Sequence, residues 1–170
     1  MNSEMLVKQI DEIRKSIYNT HGRRKGFFAT QVDLFRNITL EHRNFPAECL
    51  DLIIEILSVD QLFSQGGIYE FIMELYTDMP RLDELQRQQL LSAICENYPR
   101  YNDLELCLHI GDLVARCYDK QRALNTFRRL FPISTDHGKE GVALGLDVLR
   151  RYSGENLKLQ AQIKSILESS

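Results

Sequence analysis

The chain has 170 residues, 44% hydrophobic and 26% charged, with a formal net charge of −3. That length is enough to bury a core, and no low-complexity tract points to disorder. Four prolines and nine glycines are too few for a β-sandwich, which needs a turn every ten residues or so. Met1 to Lys8 lacks the basic and then apolar stretches of a signal peptide, and no run approaches the ~18 apolar residues of a membrane span. A cytoplasmic protein without a membrane partner is expected.

Apolar spacing marks helices from the start. Leu6, Ile10, Ile13 and Ile17 recur at steps of four, three and four, one stripe on a helix with Ser3 as its N-cap. The segment Asn19 to Gly26 breaks the pattern with two glycines and the cations Arg23, Arg24 and Lys25. A second helix over about Phe28 to Thr39 turns Phe28, Val32, Phe35 and Ile38 inward. Pro46 opens a third helix running to about Ser58, with Leu50, Ile53, Ile54 and Leu57 as its inner face. Gly66-Gly67 opens the next, which buries Ile68, Phe71, Ile72 and Leu75. Pro80 precedes a long helix with Leu82, Leu85, Leu90, Leu91, Ala93 and Ile94 inward. Pro99 separates it from a helix capped by Asn102 or Asp103, and Pro132 ends a segment carrying Ala123, Leu124, Phe127, Leu130 and Phe131. All four prolines fall between periodic segments, where they disturb helices least. The sum is an all-α fold of about nine helices, read as one domain over 1–170. Its parts are N-terminal helices with a basic loop (1–44), acidic helix pairs (45–99) and a third of helix pairs (100–170).

That last third matches itself at an offset of 34. Ile110-Gly111 aligns with Leu144-Gly145, Val114 with Val148, Arg116 with Arg150, and Tyr118 with Tyr152. Gly111 is followed twelve residues on by Ala123 and then by Phe127. Over 104–169 this resembles a tetratricopeptide or HEAT-like helical repeat. The resemblance implies helix pairs stacked as antiparallel hairpins in an α-solenoid, with a small residue letting the paired helix approach. The second copy departs from the pattern, with Leu157 and Ala161 where alanine and phenylalanine are expected. A compact irregular bundle is the alternative.

No phosphate-binding loop, dinucleotide fingerprint, nucleophile elbow or paired-histidine zinc motif is present. His21, His42, His109 and His137 are scattered over separate segments, and Cys49, Cys95, Cys107 and Cys117 lack metal-ligand spacing and read as buried thiols. No catalytic residue, cofactor or metal site is expected; an enzyme would have to gather His42 or His109 with a carboxylate.

Charge is unevenly placed. Residues 1–40 carry seven bases and four acids, 41–84 ten acids and two bases, and 85–170 twelve bases and ten acids. Glu48, Asp51 and Glu55 share one side of a helix, Glu70, Glu74 and Asp78 one side of the following helix, and neither helix carries a relieving lysine. Both stripes are expected to face away from the core and to dock a basic protein partner, with nucleic acid repelled. A small acidic helical chain of this kind resembles, by type, bacterial immunity proteins, which implies a cationic nuclease toxin as the partner. The alternative is an adaptor that grips an acidic peptide over 104–169 with Arg116, Lys120, Arg128 and Arg150. The loop Arg23 to Lys25 beside Phe27-Phe28 is the one feature suited to RNA, with too few cations to hold it strongly.

Overall fold

A computed structural model of the chain describes residues 3–19, 26–152, 154 and 156–168. The all-α expectation holds: the described residues form ten α-helices and no β-strand. The basic loop Arg23 to Lys25 and His21 lie outside the described residues. The helices group into two compact units, Met1–Ala93 and Ile94–Ser170.

The first unit contains α1 (Ser3–Asn19), α2 (Ala29–Leu40), α3 (Ala47–Ser58), α4 (Asp60–Phe63), α5 (Tyr69–Asp78) and the start of α6 (Glu84–Asn97). The short α4 is the helix that the apolar spacing does not reveal, since four residues are too few to show a period. Leu6, Ile10, Ile13 and Ile17 are all buried along α1. Phe28, which caps α2, and Phe35 within it pack against Phe71 of α5, with ring centroids 6.3 and 5.7 Å away, and Phe35 also meets Phe45 at 6.3 Å. Each such side chain contributes about 1.5–3 kcal/mol on burial. Ile54 is only half-buried, whereas Cys49, Leu52 and Ile56 join the core. α1 ends where Gln61 and Gln65 reach it: the Gln65 amide donates to Ile17 O at 3.2 Å and that of Gln61 to Tyr18 O at 3.4 Å. These side chains satisfy carbonyls that a helix C-terminus leaves unpaired.

The prolines behave as their chemistry requires. Pro46 is the residue just before α3, and Pro80, Pro99 and Pro132 each sit in a 3₁₀ turn. Pro80 therefore lies three residues before Asp83, the residue preceding α6. Leu85, expected inside, is 65% exposed.

The second unit contains the end of α6 and then α7 (Leu104–Cys117), α8 (Lys120–Leu130), α9 (Asp136–Arg151) and α10 (Leu157–Leu167). Four side-chain caps set the starts of α7 to α10. Asp103 accepts from Leu106 N, Asp119 from Arg122 N, Thr135 from Gly138 N and Asn156 from Leu159 N, at 2.8 to 3.0 Å. Each contributes about 1 kcal/mol. The closest approach is between α7 and α9. A Cβ on Gly145 would lie 2.7 Å from Gly111 O, and one on Gly111 would lie 2.7 Å from the carbonyl carbon of Gly141. The two glycines aligned at the offset of 34 thus meet across a helix–helix seam. The small residue in α7 admits α9, not the adjacent α8 as the repeat resemblance implies. Phe127 of α8 closes the far side of this seam against Gly145, while Tyr98 donates from its hydroxyl to Gly138 O at 3.0 Å.

Of the four cysteines, Cys49 and Cys107 are buried and Cys95 and Cys117 half-buried, all as free thiols. Burial pushes the Cys49 and Cys107 thiols from 9.0 up to about 12. A thiol whose folded pKa is raised favours the fold below its unfolded value and loses that contribution as pH climbs through the folded one. Stability should therefore decline from about pH 9 towards pH 12. At neutral pH, native-state alkylation of Cys49 and Cys107 should run only as fast as the chain opens, which peptide mass spectrometry can follow. Alkylation of either at the rate of a free exposed thiol would contradict the packing described.

Candidate functional site

The six acids singled out by the sequence lie on α3 and α5, and four of them already have partners within the first unit. Glu55 accepts from Arg14 Nε at 2.7 Å and from the Tyr18 hydroxyl at 2.9 Å, both on α1. The Glu55 carboxylate raises the Arg14 pKa, and burial, followed by the bond to Glu55, raises that of Tyr18. Glu70 accepts from Gly26 N at 2.5 Å, just ahead of α2. Glu74 takes a two-pronged bond from Arg36 of α2, at 2.7 Å from Nε and 2.6 Å from Nη2. Asp78 is buried and pairs with Arg81 at 2.5 Å.

The α5 stripe is thus the seam on which α2 docks. One carboxylate serves the chain entering α2, one its middle, and one a guanidinium at its end. Arg81 carries the last of these roles, donating also to the carbonyls of Thr39 and His42. The expectation that both stripes face away from the core fails for Asp78, and the missing lysines are replaced by arginines of neighbouring helices. Only Asp51, which is exposed, and Glu48, which is half-buried, are without a partner among the described residues.

A concave site lies instead in the second unit. At the turn from α7 into α8, a cleft of about 330 Å³ brings together Ala115, Arg116, Tyr118, Lys120, Leu149 and Tyr152. Arg116 is held by Asp112 at 2.7 Å and reaches the Tyr152 hydroxyl at 2.5 Å, its guanidinium 5.4 Å from the ring centroid. Asp112 is the chief cause of a raised Arg116 pKa. Lys120 donates to Tyr152 O at 3.1 Å, at the end of α9. A second cleft of about 200 Å³ shares Lys120 and adds Gln121, Asn156, Lys158 and Gln162.

Arg116 and Lys120, named from the sequence, are therefore together. Arg128 lines neither cleft, and Arg150 is engaged by Asp147. Lys158 and Tyr152 escape a reading by charge alone, although the alignment of Tyr118 with Tyr152 at the offset of 34 marks the pair that rims the first cleft. Around an apolar patch the site gathers three cations and two phenols against Asp119 and the Asp112 that holds Arg116, a net positive arrangement suited to binding carboxylates flanked by apolar groups.

Neither cleft is lined by a histidine. His109 and His137 sit near Glu105 and Glu140 of their own helices, at 3.9 and 3.6 Å. His42 buries its Nε2 without a hydrogen-bond partner among the described residues. No group of three His, Cys, Asp or Glu among the described residues is placed to hold a metal ion, and no helix among them is long and apolar enough to cross a membrane. No protein-family model matches the chain, and neither a curated protein nor a solved structure matches it.

Proposed function

We propose that this chain is a non-catalytic protein-binding module that docks an acidic segment of a partner in the cationic clefts at the start of α8. The observation that carries this reading is the convergence of Arg116, Lys120 and Lys158, from α7, α8 and α10, on two clefts that share Lys120, the first with Ala115 and Leu149 as its apolar part and the second polar apart from Leu159. Like-signed side chains from separate elements repel when gathered, and an acidic ligand relieves that repulsion while steering the encounter. The repeat adaptor implied by the sequence resemblance is the same reading in a more specific form.

A labelled peptide of alternating glutamate and leucine should bind saturably, with affinity falling as salt rises. Lys120→Glu should weaken it about tenfold, or about 1.4 kcal/mol. Fluorescence anisotropy decides the matter: equal binding by the variant, or equal binding of a lysine–leucine peptide, would overturn the assignment.

A basic partner, including the cationic nuclease of a toxin–immunity pair, is the second reading. What favours it is that Glu48 and Asp51 have no partner among the described residues. It predicts slower association when both are reversed to lysine, with Lys120→Glu leaving the rate unchanged.

A further inference from the structure

Two cations of the first cleft are held by a single residue, Tyr152, which follows the last turn of α9. Its hydroxyl accepts from Arg116 Nη1 at 2.5 Å and its carbonyl from Lys120 Nζ at 3.1 Å. The Arg116 guanidinium also lies over the Tyr152 ring, 5.4 Å from its centroid. The other end of that guanidinium is fixed, since Nε donates to Asp112 at 2.7 Å. A carboxylate that grips an arginine with both oxygens needs two parallel N–H groups. With Nε committed to Asp112, such a grip has to come through the two Nη nitrogens, and the phenol sits on one of them. Tyr152 is 60% exposed, so its side chain loses little packing by turning away. The backbone is held meanwhile, because Tyr152 N donates to Val148 O at 3.1 Å.

We infer that Tyr152 is a displaceable gate on the cleft: an acidic segment enters by taking Arg116 Nη1 from the phenol, whose side chain swings out to solvent. The inference rests on the cleft being the docking site proposed above and adds what controls entry to it. The gate favours anions. A neutral side-chain amide exchanges one neutral acceptor for another and gains little, whereas a carboxylate puts an ion pair where a phenol stood.

Tyr152→Phe in the full chain keeps the ring over Arg116 and removes the hydroxyl alone. By fluorescence anisotropy it should bind the glutamate–leucine peptide about fivefold more tightly than wild type, as expected for one competing hydrogen bond removed. The movement itself is read in a chain with isotope-labelled tyrosine rings. The Tyr152 ring resonances, identified as those missing from Tyr152→Phe, should move towards the values of an unfolded tyrosine as the peptide saturates wild type. Equal or weaker binding by Tyr152→Phe, or Tyr152 resonances that the bound peptide leaves unmoved, would overturn the gate. If wild type binds the peptide in that case, the cleft reading stands with Tyr152 as a fixed wall. If neither protein binds it, the cleft reading falls and the gate falls with it.

Discussion

Gly111→Ala should destabilise the protein by about 2–4 kcal/mol, a penalty near or above the upper end for overpacking. The added methyl meets the backbone of Gly141, with its carbonyl carbon 2.7 Å away, and backbone cannot rotate aside as a side chain can. α7 and α9 would have to separate, loosening the packing around them, where Val114, Val142 and Leu146 are buried. Gly154→Ala is the internal control. Its φ is +56° and a Cβ there meets nothing within 4 Å, so the change carries only the left-handed backbone penalty of about 1 kcal/mol. Urea midpoints for the two variants give the comparison directly. If Gly111→Ala is no more damaging than Gly154→Ala, the helices are not in backbone contact.

Arg81→Ala should lower stability by about 3–5 kcal/mol, the range for breaking a buried ion pair from one side. Three of its acceptors, the buried Asp78 carboxylate and the carbonyls of Thr39 and His42, lose their closest donor together. Arg81→Lys should recover only part of this, because an ammonium cannot reproduce the planar fork that reaches all three. Asp78→Asn in the alanine background should return about 1–2 kcal/mol by removing the stranded charge, and a thermal or urea titration of wild type, Arg81→Ala, Asp78→Asn and the double variant closes the cycle. An Arg81→Ala protein as stable as wild type would mean that α2 does not depend on this guanidinium.

The inward faces were legible because helical burial is a local rule. Ile10, Ile13 and Ile17 of α1, and Phe28 at the cap of α2 with Val32, Phe35 and Ile38 along it, can be read from spacing within a dozen residues. The acidic stripes were equally legible as stripes, and their purpose was not. Glu55 and Arg14 lie 41 residues apart in the chain, and Glu74 and Arg36 lie 38 apart. Periodicity along α5 says which side the acids share; it contains nothing about whose cations arrive there. The positive balance of residues 1–40 and the negative balance of 41–84 were two halves of one fact, since Arg14 and Arg36 neutralise acids in the later segment. Leu85 misled for a related reason. It follows Leu82 by three residues, which suits a continuous helix, but Leu82 precedes α6 and the turn at Met79–Arg81 resets the phase. The clefts were half visible: Arg116 and Lys120 carry charge, whereas Lys158 arrives through a turn after α9 that no pattern predicts.

The glycine seam bears on how the second unit opens. With backbone against backbone at Gly111, Gly141 and Gly145, α7 and α9 have no side chain of their own at these positions that could change rotamer to let one helix slip past the other. Amide protons along the two helices should therefore exchange with solvent as one group, with a shared opening free energy, while α10, with Leu157 78% exposed and Leu167 41% exposed, exchanges earlier.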